Sequence, residues 1–379
     1  MKKFILIFIL LSCITFTSCN SESKNTETSN GNTNTNKEIL QMKSYKKTID
    51  NVVFDTKICI GDKNAITEDS LVTSTVSMVK SNTDKLYETL FYNIKVEKKD
   101  VDTDGQNYLG KPMKTTTYQG NNKSVLLFDD ISSTVFFNKD NFGKFVNQSI
   151  DYIETSERYN LNKYSLTKNL DFATRETAFK NIQSTLLSFG LEIGDNYKAY
   201  ALDHKTLQEE EFAMDMDGNL DKSQCKSSWN KDDDCYYFLI RPTFKDIPML
   251  YTFDQSLENK FNDFNSPIKV IYTKEGIQSL DILSVFSPNK DEKKVTLAPF
   301  DKIAETIAKP YTKIIGDTSY KVTDANLVYL LDTAVTNGKY PINPAWVVHV
   351  QNPKSNEINP PSVEIIIDAV TGKEIVNGK

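Results

Sequence analysis

From Tyr197 onward the chain repeats one local pattern: short segments in which apolar and polar residues alternate, separated by turn residues. YKAYALD (197–203), CYYFLIRPTF (235–244), PIKVIY (267–272) and GIQSLDILSVF (276–286) form a first set. SYKV, NLVYLLD, AWVVHV (345–350) and SVEIIIDA (362–369) form a second. A period of two sends successive side chains to opposite faces of a pleated strand, so each segment predicts a strand with one face toward a core. Lys274-Glu275-Gly276 supplies a hairpin turn in the first set, its glycine able to take positive φ. A helix precedes each set. Thr174 caps one, with Ala178, Ile182, Leu186 and Phe189 at helical spacing and Gly190 at its end. Pro299 opens the other, whose stripe is Phe300, Ile303, Ala304 and Ile307 before Pro310. The turn glycines Gly276 and Gly372 stand in matching places, as a duplicated unit requires.

Upstream, Val52, Phe54, Ile58 and Ile60 alternate along VVFDTKICI, and SVLLFDDISSTVFF (124–137) reads as two strands around a turn, with one helix near 84–92. The expected fold class is therefore α+β: tandem helix-plus-antiparallel-sheet modules after an N-terminal β-rich domain. The boundaries follow composition and turns. Residues 43–165 are the β-rich domain, 166–290 the first module and 291–379 the second.

The first 42 residues do not belong to that fold. Lys2 and Lys3 precede an apolar run from Phe4 to Phe16, about 13 residues, short of the roughly 20 that span a bilayer. Phe16-Thr17-Ser18-Cys19 resembles the lipobox of bacterial lipoproteins, in which the cysteine is diacylglycerated and becomes the mature N-terminus. Leu10-Leu11-Ser12-Cys13 matches that motif better by letters, but cleavage there leaves too short a signal and an apolar stretch on the mature side. Residues 1–18 are thus expected to be a signal peptide, Cys19 the lipidated residue and 19–42 a polar tether with too little apolar surface to fold. The expected address is the extracytoplasmic face of the cell membrane, lipid-anchored.

Loss of residues 1–18 removes two lysines and moves the formal charge from -6 to -8, with 43 basic against 51 acidic side chains. That balance argues against a nucleic-acid partner. Arginine occurs only at 158, 175 and 241, little material for bidentate anion recognition.

Pro344-Ala345-Trp346, together with Ile367-Asp368-Ala369-Val370-Thr371-Gly372-Lys373-Glu374-Ile375, resembles a PepSY module, whose strand pair closes in a similar turn. Such modules sit in peptidase propeptides and extracytoplasmic regulators, so the resemblance implies binding or inhibition rather than catalysis. The lipobox, VVFDTKICI, ATRETAFKNIQ, the Trp229-to-Pro242 stretch and GIQSLDI also resemble a family of lipoproteins from low-GC Gram-positive bacteria, which brings no assigned activity.

Few motifs carry chemistry. In DMDGNLD, Asp215, Asp217, Asn219 and Asp221 could send oxygens to one cation, but the glycine and the twelfth position do not fit an EF-hand loop. A hairpin turn at Asp217-Gly218 explains the same residues. Cys225 and Cys235 flank a short loop that a disulfide could close. His204 and His349 are the only histidines, and His349 shares a strand face with Ala345 and Val347. Tyr236, Tyr237, Phe238, Trp229 and Trp346 read as core rather than as a ligand groove. Asp368 reads as an acceptor of turn amides. No nucleophile elbow, phosphate loop or zinc spacing is present. The expectation is a non-catalytic protein- or peptide-binding or regulatory lipoprotein, with no cofactor and a membrane partner through its lipid. A cell-surface hydrolase with dispersed carboxylates is the alternative, followed by a solute-binding lipoprotein.

Overall fold

The computed structural model describes residues 42–375 except 62–65, 68–69, 93, 107–111, 129–133, 151–159, 214, 216–218, 252–265, 313–318, 333–337 and 352–361. Cys19, the signal and the tether lie outside the described residues. In chain order the elements are β1 (Ser44–Ile49), β2 (Val52–Ile60), β3 (Val72–Met78), α1 (Thr83–Leu90), β4 (Lys98–Gln106), β5 (Pro112–Gly120), β6 (Lys123–Phe128), β7 (Thr134–Lys139) and α2 (Phe142–Ile150). They continue with α3 (Arg175–Ser188), β8 (Tyr197–Leu202), α4 (His204–Glu210), β9 (Cys235–Ile240), β10 (Thr243–Phe244), β11 (Ile247–Tyr251), β12 (Ile268–Thr273) and β13 (Gly276–Ile282). The last are β14 (Phe286–Pro288), β15 (Lys293–Lys294), α5 (Phe300–Ala308), β16 (Tyr320–Leu331), β17 (Lys339–Gln351) and β18 (Ser362–Asp368).

These strands make two large sheets. The eight-stranded sheet runs β4-β5-β6-β7-β13-β12-β9-β8, antiparallel throughout. The ten-stranded sheet follows the path β1-β2-β16-β17-β3-β14, with β18 also on β17, β11 on β16, β10 on β11 and β15 on β3. β2 and β11 both run parallel to β16.

This overturns the expected α+β architecture of tandem PepSY-like modules behind an independent β-rich domain. The chain is mostly β, and each sheet mixes strands from both halves of the sequence. β1 to β3 complete the sheet of β16 to β18, while β4 to β7 extend the sheet of β8, β9, β12 and β13. The reason is physical. Alternation specifies that a segment is a strand and which face is buried, but backbone donors and acceptors are the same at every residue, so the pattern does not name the partner.

The local predictions fare better because they rest on side-chain spacing. Thr174 accepts the N–H of Thr177 at 3.1 Å and caps α3, which buries Ala178, Phe179, Ile182 and Leu186. With α1, that face covers one side of the eight-stranded sheet over Phe137, Phe238, Val270 and Leu280. α2 and α4 cover the other side, over Tyr200, Leu202, Tyr237 and Ile271. A strand covered on both sides has no solvent face, which explains why every residue of CYYFLI in β9 is buried where simple alternation would leave half outward. Replacing Thr174 by Ala is expected to cost about 1 kcal/mol in urea unfolding, the usual effect of losing a helix cap; an unchanged midpoint would contradict the capping role.

α5 covers one face of the ten-stranded sheet, placing Phe300 edge-on to Trp346 with ring centroids 5.3 Å apart. The opposite face is apolar at Val328, Leu330, Ala345, Val347 and Ile366 and becomes polar at His349.

Candidate functional site

At one end of the eight-stranded sheet, β5 and β6 are joined by the two-residue turn Asn121-Asn122. Both residues take left-handed backbone, φ 37° and 56°, the requirement of a tight hairpin and one that asparagine meets cheaply. Next to it Asp140, the residue after β7, is also left-handed at φ 57°, and its N–H donates to the Asn122 carbonyl at 2.7 Å. That bond locks the two turns together. Gly120 permits a further close approach: a Cβ there would sit 2.4 Å from the Lys95 carbonyl oxygen.

Between these walls lies a cleft of about 490 Å³. Five carboxamides line it, from Gln119, Asn121, Asn122, Asn138 and Asn141, with Ser124, Glu97, Asp140 and Lys123 completing the wall. Gln119, Ser124 and Asn138 pair across β5, β6 and β7, so strand register places them side by side on one face. Neighbouring groups fix this floor. Ser279 donates to Asn138 Oδ1 at 2.8 Å, and Gly143 at the start of α2 packs directly on both.

The cations near the cleft are tied down. Lys123 Nζ donates to the Leu90 carbonyl at 2.9 Å, and burial, with Lys139 nearby, holds its pKa below the usual lysine range. Lys139 itself pairs with Glu275 at 2.6 Å, and that contact lowers the Glu275 carboxyl. Glu97 and Asp140 are left as the carboxylates of the lining. The cleft therefore offers many paired donors and acceptors with a slight excess of negative charge.

A second polar cluster lies on the ten-stranded sheet. The His349 ring meets Asp324 Oδ1 through Nδ1 at 2.6 Å and Glu364 Oε2 through Nε2 at 3.2 Å. The three residues are direct cross-strand neighbours on β16, β17 and β18. Hydrogen bonds to Asp324 and Glu364 outweigh burial and raise the His349 pKa to about 9, so the ring is a cation at neutral pH. Burial opposes ionisation of Asp324, but bonds from His349, Thr323 and Asn326 win, and its pKa falls. With both nitrogens committed to carboxylates, this ring ties three strands together.

The residues singled out from sequence have mixed positions. Asp215 accepts the N–H of Asn219 at 2.8 Å and Asp221 caps a short turn through Ser223 and Gln224, a closed local loop; Asp217 lies outside the described residues. Of the neighbouring acidic run, Asp232 pairs with Lys274, Asp233 with Lys226 and Asp234 with His204 Nδ1 at 2.7 Å. Among the described residues no three His, Cys, Asp or Glu side chains are grouped to hold a metal ion. Cys225 and Cys235 are both unbridged thiols, Cys235 fully buried with its pKa pushed up by desolvation. The five aromatics are core residues; Trp229 also donates to Glu211 at 2.9 Å, and Tyr236 to the Ala173 carbonyl at 2.8 Å. Asp368 accepts the turn amides of Val370 and Thr371.

The amide cleft was missed in the sequence because its residues come from three separate strand ends. Gly120-Asn121-Asn122 is the signal that was there, a two-residue hairpin signature between alternating segments. Asp324 and Glu364 carried no comparable signal, since only the sheet register brings them to His349.

No protein-family model matches the chain, and no curated protein matches it. Among solved structures, the fold is similar to the crystal structure of an uncharacterized protein from Eubacterium rectale ATCC 33656, with a TM-score of 0.60 at 17% sequence identity. The match covers 90% of this chain and 99% of that one, so the likeness extends over both sheets and concerns the fold alone.

Proposed function

We propose that the protein is a lipid-anchored extracytoplasmic binding or regulatory protein that acts without catalysis. The amide-lined cleft carries the binding half of this reading. Its walls are fixed by backbone geometry and its chemistry is hydrogen bonding at many points rather than activation of one atom. Two side chains otherwise suited to nucleophilic or general-base work are engaged elsewhere: His349 has both ring nitrogens on carboxylates and Cys235 is buried in the core. Attachment is supported by the signal, the lipobox at Cys19 and the polar tether. No described helix is long and apolar enough to cross a membrane.

One observation favours a second reading. Glu97 and Asp140 both line the cleft, and two carboxylates facing one ligand are the minimum equipment of a glycoside hydrolase. Crosslinking and pull-down of the tethered protein from its native membrane separates the two. Capture of a partner or wall polymer that remains intact is the expected result. Turnover of a cell-wall substrate with nothing captured would overturn the binding reading.

A further inference from the structure

We infer that the amide-lined cleft binds a neutral oligosaccharide. The inference rests on the binding reading above and narrows it to one ligand class at one place.

The lining chemistry selects that class in three steps. First, a carboxamide offers two donors and an acceptor in a plane, which matches adjacent sugar hydroxyls that each donate and accept. Five of the ten lining residues are carboxamides, and Ser124 adds a hydroxyl. Second, no aliphatic or aromatic side chain lines the cleft. A bound peptide gains specificity by burying side chains in apolar pockets, and here there is none for them to enter. Third, the charge is unsuited to an anion. The lining carries two carboxylates, Glu97 and Asp140, against the single ammonium of Lys123, which also donates to the Leu90 carbonyl, and nearby Lys139 is paired with Glu275. Phosphate- or uronate-bearing polymers would meet a net negative lining.

The cleft is also built ahead of any ligand. The locked turns at Asn121-Asn122 and Asp140, and the close approach at Gly120, leave the backbone little freedom to collapse into the space. Ordering costs on binding are correspondingly small. A volume of about 490 Å³ lies within the range of small-ligand sites.

The test uses the full mature chain in a detergent without a sugar headgroup. Titration calorimetry would compare the β-1,4-linked tetramer of N-acetylglucosamine with tetra-alanine and with a sulfated oligosaccharide. The expected result is binding of the neutral tetramer alone, weakened about tenfold or more by the pair Gln119→Glu and Asn141→Asp, which keep shape but remove donors. Both sites are exposed, so the fold is expected to survive, as circular dichroism would check. Gln119→Ala with Ser124→Ala gives a second pair that adds no charge and should weaken binding in the same direction. Tetramer binding that neither pair alters would overturn the cleft as the site, while leaving a binding protein. Preference for tetra-alanine would overturn the ligand class in favour of a peptide. Absence of tetramer binding would overturn the inference, and the membrane pull-down would still decide the wider reading.

Discussion

Replacing Trp346 by Ala is expected to cost about 3–5 kcal/mol of stability, the largest loss from a single side chain in this fold. Trp346 is completely buried on β17 and stands edge-on to Phe300 of α5, which in turn meets Tyr45 of β1 edge-on at 4.9 Å between ring centroids. One indole thus joins the helix, the central strand and the N-terminal edge of the ten-stranded sheet. Its N–H meets no hydrogen-bond partner among the described residues, so the energy lies in shape and apolar contact. Trp346→Phe keeps much of that contact and strands no polar group, and should cost about 1–2 kcal/mol. Urea unfolding of the three proteins measures both steps. Equal losses in the two variants would mean that the indole N–H, not the packing, matters.

The second large effect is electrostatic and depends on pH. His349 has a pKa raised from the ordinary 6.5 to about 9 by Asp324 and Glu364. A raised pKa means that the folded state holds the proton more tightly than the unfolded chain. The stabilisation is therefore fully present below about pH 6.5, and it is lost as pH rises through about 9. After allowance for the partial exposure of the ring, it amounts to about 2 kcal/mol. His349→Gln removes the cation and leaves two half-buried carboxylates facing the same space. The gap in unfolding free energy between wild type and variant should be about 2 kcal/mol near pH 7 and should shrink toward zero by pH 10. Taking the difference cancels the lysines and tyrosines that titrate in the same range. A gap that stays constant across that interval would show that His349 acts by packing rather than by charge.

What could be read from the sequence was whatever depends on neighbours along the chain. The Thr174 cap, the α3 and α5 stripes, the Gly276 hairpin with its φ of 95° and the Asp368 turn all concern residues within one or two turns of each other. The architecture depends on pairings such as Asn326 with Cys59, whose strands lie at opposite ends of the chain. VVFDTKICI reads as a half-buried strand wherever it pairs, so nothing in it favoured β16 over a partner in an N-terminal domain. The same limit hid the candidate site. Gln119, Ser124 and Asn138 are unremarkable surface residues until register sets them abreast, and asparagine is common throughout this lysine- and asparagine-rich sequence. His349 was legible as a strand histidine but its charge was not, because both carboxylates come from other strands.

Holding a sugar chain and cleaving one differ in a single observable. The full mature protein would be incubated with the β-1,4-linked tetramer of N-acetylglucosamine, with ligand contact followed by saturation-transfer NMR and cleavage by newly released reducing ends in the same sample. The expected result is contact that the Gln119→Glu and Asn141→Asp pair weakens, with no release of ends. Release of ends that disappears in Glu97→Gln or Asp140→Asn would contradict it and make the cleft the active site of a hydrolase.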